Sequence, residues 1–145
     1  MMIKRSNAAG FSIMEIMIVL GIIAMMGALI GPKLMNYLGR AKQSTTVTQL
    51  ASLKNAMMEY NMEWGHYPTK AEGGLNALVK MPKGDKFKQR WQPYLDSTEL
   101  PEDGWKNPFI YNSPPVKFKH YKFYEIYSAG EKNDPDAQTD LHVGA

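Results

Sequence analysis

The sequence predicts an α+β protein. One long N-terminal helix, membrane-spanning in its first half and amphipathic in its second, carries a small C-terminal head with a short antiparallel sheet. Three observations lead there. Residues 11–31 form an almost wholly apolar run with one charge, Glu15. Leu50, Leu53, Met57, Tyr60 and Trp64 then recur at alternating spacings of three and four, a single apolar stripe on a helix. Beyond Gly65 the chain breaks into turn-rich pieces, two of which have strand composition.

The first ten residues carry Lys4 and Arg5, as the start of a secretory signal would. The apolar run that follows is longer than such a signal needs, and Pro32 and Lys33 stand where a small-residue cleavage site would be. A helix of about 20 residues spans about 30 Å, the hydrocarbon thickness of a bilayer. Glu15 is the odd residue in it. A carboxylate in hydrocarbon costs a few kcal/mol unless it is protonated, paired or near the interface, so it is either functional or at headgroup level. Charge leaves the topology open, because Lys33, Arg40 and Lys42 balance Lys4 and Arg5.

Gly31-Pro32 closes the run. Proline has no N–H and its ring crowds the carbonyl four residues back, here Ala28. Helical periodicity resumes at once, so a kink is expected there rather than a helix end. Leu34, Leu38 and Ala41 extend the stripe backwards more weakly. Residues 44–48, Ser-Thr-Thr-Val-Thr, have poor helix propensity. Gly65 and Pro68 stop the helix near Trp64. No acid lies between Ile16 and Met58, leaving a basic face that is either solvated or matched to an acidic neighbour.

In the head, a short helix is expected near 72–80, and Asp103-Gly104 marks a turn. Segments 109–112 and 120–128 read as an antiparallel strand pair. Lys80, Lys83, Lys86, Lys88 and Arg90 form a basic patch interleaved with Phe87 and Trp91. A solvated loop or subunit contact accounts for it better than nucleic acid, as the net charge is only +3. Trp64, Trp91 and Trp105 read as core or loop anchors. The chain has no cysteine, which excludes disulfides and thiolate metal sites. His66, His120 and His142 lack metal-like spacing and read as surface residues. No catalytic order of Ser, His and Asp and no phosphate loop is present, so the chain is not expected to be an enzyme. Its length of 145 residues fits one domain plus an anchor, and its mean hydropathy of −0.38 makes the part after the run hydrophilic. The segments are therefore 1–10, 11–32, 33–65 and 66–145.

Gly10-Phe11-Ser12-Ile13-Met14-Glu15, followed at once by a long apolar helix, resembles the prepilin signature G-F-[ST]-x-x-E of the type IV pilin-like superfamily. The resemblance implies cleavage between Gly10 and Phe11 by a membrane prepilin peptidase and N-methylation of Phe11. The segment 1–10 is then a leader. It also implies a docking role for Glu15, whose carboxylate faces a free amine one turn away once Phe11 is the N-terminus. The topology follows: N-terminus cytoplasmic, one pass of the inner membrane, head periplasmic. Tyr67-Pro68-Thr69, Gly74-Leu75, Trp91-x-Pro93-Tyr94-Leu95, Asp103-x-Trp105-x-Asn107-Pro108-Phe109-x-Tyr111 and Ile126-Tyr127-Ser128-x-Gly130 narrow the likeness to the major pseudopilins of type II secretion. Gly104 and Lys106 depart from that pattern, standing where those proteins usually have Pro and Gly.

The partners implied are further copies of the chain, minor pseudopilins, the prepilin peptidase, the inner-membrane assembly platform, the secretin, and lipid before assembly, with no nucleic acid. Two other readings remain: a type IV pilin or DNA-uptake pseudopilin, and a membrane-anchored periplasmic binding or enzymatic domain. The lack of cysteine disfavours disulfide-looped pilins. The resemblance further implies a Ca²⁺ site in the C-terminal loop. Ca²⁺ takes six to eight oxygens, and Asn133, Asp134, Asp136 and Asp140 are the residues available to supply them. Lys132 stands beside them and opposes a cation.

Overall fold

The computed structural model describes residues 10–137 and 139–145. Helix α1 (Ile13–Trp64) is followed by 3₁₀ turns at Lys70–Glu72, Gly74–Leu78 and Asp85–Phe87. Strands β1 (Ile110–Asn112), β2 (Glu125–Tyr127) and β3 (His142–Gly144) complete the chain. It divides into two compact units, Met1–Gly39 and Arg40–Ala145.

In the first unit, Ser12 caps α1. Its Oγ accepts the Met14 N–H at 3.3 Å and its carbonyl accepts the Ile16 N–H at 3.1 Å. Glu15 is thereby the third helical residue, where the helix dipole favours an acid. The helix runs unbroken through Gly31 and Pro32, so these residues do not end it.

In the second unit, the buried stripe of α1 is Thr46, Leu50, Leu53, Ala56, Met57 and Tyr60. The backward extension is not buried: Leu34 and Leu38 are about half exposed, because the stripe begins only at Thr46. The Thr-rich segment is helical despite its propensity. Thr45, Thr46 and Thr48 return their hydroxyls to the carbonyls of Ala41, Lys42 and Ser44 at 2.9–3.0 Å. Gly65 ends the helix at φ 74°, its N–H donating to Asn61 at 2.8 Å.

Against the stripe pack Leu75, Ala77, Leu78, Phe87, Phe109, Tyr124 and Ile126. Trp64 and Trp91 anchor the loops as expected. The Trp64 Nε1–H donates to the Tyr94 hydroxyl at 2.6 Å, and the Trp91 Nε1–H to the Ala77 carbonyl at 2.9 Å. The sheet has order β1-β2-β3 and is antiparallel throughout, with Tyr111 opposite Ile126 and Ile126 opposite Val143.

The short helix expected near 72–80 is of 3₁₀ type and is interrupted at Gly73 (φ 99°). One expectation needs correction. The strand expected over 120–128 shortens to Glu125–Tyr127. The N–H groups of Lys122 and Phe123 converge on one acceptor, the Ala145 carbonyl, at 2.9 and 2.7 Å, instead of forming a ladder. Its second neighbour, β3, was not expected.

Candidate functional site

The chain's most unusual surface is the start of α1. Gly10 and Phe11 precede the first helical turn, and Phe11 is 78 % exposed. From there the apolar side chains of Ile13, Met17, Leu20, Ile23, Met26 and Leu29 all lie exposed. The most apolar 18-residue window of α1 has a mean hydropathy of 2.5, and none of it is buried within the chain. A helix apolar all round requires cover from lipid or from other helices. Glu15, also exposed, is the one acid on this stretch. Signature and apolar helix are thus contiguous, as the sequence implied. Of the segment expected to be a leader, residues 1–9, with Lys4 and Arg5, lie outside the described residues.

The head's second feature joins motifs distant in sequence. Asp103 is buried. Its Oδ1 accepts the N–H groups of Trp105 and Asn107 at 2.9 and 2.8 Å, and its Oδ2 accepts the Ser128 hydroxyl at 2.6 Å. The Ser128 Oγ in turn accepts the Gly130 N–H at 3.0 Å, and the Asn107 side-chain amide donates to the Gly130 carbonyl at 2.9 Å. Gly104 docks this turn on the helix, its N–H donating to the Thr46 hydroxyl at 2.9 Å. A Cβ at Gly104 would stand 2.1 Å from the Lys42 carbonyl oxygen, so neither Pro nor any other side chain fits. That explains one departure from the pseudopilin pattern. The other, Lys106, holds a left-handed φ of 68° that glycine would adopt without strain.

Beyond Gly130 the loop turns tightly. The Asn133 N–H donates to the Gly130 carbonyl at 3.1 Å, and the Asp134 Oδ1 accepts the Asp136 N–H at 3.0 Å. Asn133, Asp134, Asp136 and Asp140 are all exposed. Among the described residues no group of three His, Asp or Glu is placed to hold a metal ion. Two loop carbonyls, of Pro135 and Ala137, instead accept from the Lys117 ammonium. As placed, these residues do not fit a Ca²⁺ cage.

Sequence reasoning missed several residues. Glu125 is fully buried, and its carboxylate accepts the N–H groups of Val116, Lys117 and Phe118 and the Asn112 amide. Burial pushes its carboxyl up, but these donors outweigh that and hold it below the usual carboxylate range. His142 is half-buried rather than on the surface, stacked on Phe118 with ring centroids 3.9 Å apart. Glu72 gathers the Thr69 N–H at 3.0 Å, His66 at 3.1 Å and Lys86 at 3.0 Å. The signal for it was present: Thr69-x-x-Glu72 is a capping-box pattern. Three members of the basic patch are paired within the chain: Lys86 with Glu72, Lys88 with Asp85, and Arg90 with Glu63.

Residues 33–144 match the family described as type II secretion system protein G. The chain is 30 % identical over 141 residues to the type II secretion system core protein G of Aeromonas hydrophila, covering 97 % of this chain and 94 % of that one. To the protein of the same name from Vibrio cholerae it is 32 % identical over 112 residues, 77 % and 75 % of the two chains. The crystal structure of the major pseudopilin of the type 2 secretion system of enterohaemorrhagic Escherichia coli superposes with a TM-score of 0.56 at 25 % identity. That likeness covers 77 % of this chain and 92 % of the other.

Proposed function

The chain belongs to the protein G family of type II secretion systems, and we propose that it is cut between Gly10 and Phe11 and then polymerises through α1 into a periplasmic pseudopilus. It is a major pseudopilin, a structural component of protein secretion. The observation that carries the assembly reading is the junction of a non-helical Gly10-Phe11 with an apolar helix left wholly uncovered within one chain.

Before processing, the apolar segment 11–32 holds the chain in the inner membrane with the head in the periplasm. After cleavage by a prepilin peptidase, Phe11 carries the free amine and receives the methyl group. The Ser12 cap keeps Glu15 in the first helical turn, one turn from that amine or within reach of a neighbour's. Pairing removes the cost of a carboxylate in an apolar setting and selects the register of the incoming subunit. The helices of successive copies then replace lipid around one another. Minor pseudopilins, the inner-membrane platform and the secretin are the further components. Growth of the filament, driven by a cytoplasmic ATPase, pushes exoproteins outward, and the subunit itself catalyses nothing.

The test is Glu15→Ala in cells able to assemble the filament. The variant is expected to be processed normally, with Phe11 found by N-terminal sequencing, yet to remain unassembled in the membrane. Normal filaments from it would remove Glu15 from the assembly step. An unprocessed wild-type N-terminus would remove the cleavage site.

A further inference from the structure

Lys117 lies on the segment that joins β1 to β2, and its ammonium bonds to two carbonyls of the C-terminal loop. Its own backbone is fixed first. The buried Glu125 carboxylate accepts the N–H groups of Val116 at 3.1 Å, Lys117 at 3.0 Å and Phe118 at 2.6 Å, tying 116–118 to β2. From that base the side chain reaches the Pro135 carbonyl at 2.6 Å and the Ala137 carbonyl as well. The ammonium also stands 4.8 Å from the centre of the Tyr127 ring and 5.7 Å from that of Phe118, within cation–π range.

Backbone carbonyls turned toward one point are what a hard cation seeks, and an ammonium with three donors satisfies the same oxygens. Its charge also repels a second cation from that point. The acids of the loop do not compensate, since Asp134 accepts the Asp136 N–H and all four candidate ligands lie exposed.

We propose that Lys117 is a built-in cation that closes the C-terminal loop of the head, so that the loop keeps its fold without a bound divalent ion. The inference goes beyond the assembly reading and stands on the head alone. The loop's order is then indifferent to the Ca²⁺ concentration around the head.

The experiment uses the full chain in detergent micelles and follows trypsin cleavage after Lys132, inside the loop, against cleavage after Lys83, outside it. The wild type is expected to cleave at Lys132 at the same rate, and to melt at the same temperature, in a chelator and in millimolar Ca²⁺. Lys117→Met should cleave about tenfold faster at Lys132 with the Lys83 rate unchanged, and Lys117→Arg should stay near the wild type. Ca²⁺ protection of the wild-type loop, or a wild-type rate in Lys117→Met, would overturn the proposal. If Lys117→Met cleaves faster everywhere, Lys117→Gln decides. It keeps two donors without the charge, so a rate between wild type and Met supports the latch, and a wild-type rate overturns the need for a cation.

Discussion

Gly104 and Lys106 share one turn and make opposite demands on the backbone. Gly104 has no room for a side chain, because the Lys42 carbonyl lies 2.1 Å from where a Cβ would be built. Backbone is on both sides, so nothing flexible can give way. Gly104→Ala is therefore expected to cost about 3 kcal/mol, through lost docking of the turn on the helix. Lys106 has the contrary problem: a side chain in the left-handed region at φ 68°. Lys106→Gly relieves that strain at some cost in unfolded-chain entropy, for a net gain of up to about 1 kcal/mol. Denaturant melts of the full chain in detergent check both signs, and a stabilised Gly104→Ala would refute the close approach. Asp103-Gly104 was legible as a turn from its residues alone. Why glycine is required there was not, since the clashing atom belongs to a helix residue far upstream.

At the scale of elements, α1 was the most legible part of the molecule. Its apolar run, 3–4 stripe and Gly65 stop all correspond to observed features, because each rests on a local period or a local cap. The Thr-rich segment shows where local propensity misleads. Its hydroxyls bond back to the preceding turn, and Thr46 is buried against the 103–107 turn. Strand β3 escaped notice because His142-Val143-Gly144 is too short to show a period. Its pairing is imposed by β2, and Gly144 is needed where a Cβ would strike the Tyr121 ring at 2.5 Å. Pro32 carries the testable consequence. Without an N–H it cannot supply the usual helical bond to the Ala28 carbonyl, although the helix is continuous there. Pro32→Ala should stabilise the local helix by up to about 3 kcal/mol. Amide exchange at residues 33–36 in micelles should slow accordingly, and unchanged exchange would show that Pro32 is not a weak point.

For the molecule as a whole, the division of labour was legible and the internal fastening of the head was not. A naked apolar helix and a hydrophilic head are visible in composition. The Asp103–Ser128, Glu125 and Lys117 contacts depend on loops meeting, which no spacing encodes. These contacts give the head a defined response to acid. Burial raises Glu72, but the Thr69 N–H, His66 and Lys86 outweigh it and bring it from 4.5 to about 2. Glu125 is lowered in the same sense. A carboxylate so depressed stabilises the fold fully above about pH 4.5, and that contribution is lost as pH falls towards 2. His142, lowered by burial and by His120, favours the neutral ring, so its share begins to fade below about 6.5. The melting temperature of the full chain should accordingly decline below neutrality and fall more steeply under pH 4.5. Glu72→Gln should flatten the steep limb, and an unaltered limb would assign the acid sensitivity elsewhere.

The contacts between helix and head begin at Thr46 with Gly104 and end at Glu63 and Trp64 with Tyr94, with Leu50, Leu53, Met57 and Tyr60 between them. At 1.5 Å per residue that is a seam about 27 Å long. A load directed along the helix meets all of these contacts in shear, together, rather than peeling them one after another. Resistance of the head to such a load then comes from that geometry, with no single bond required to be strong.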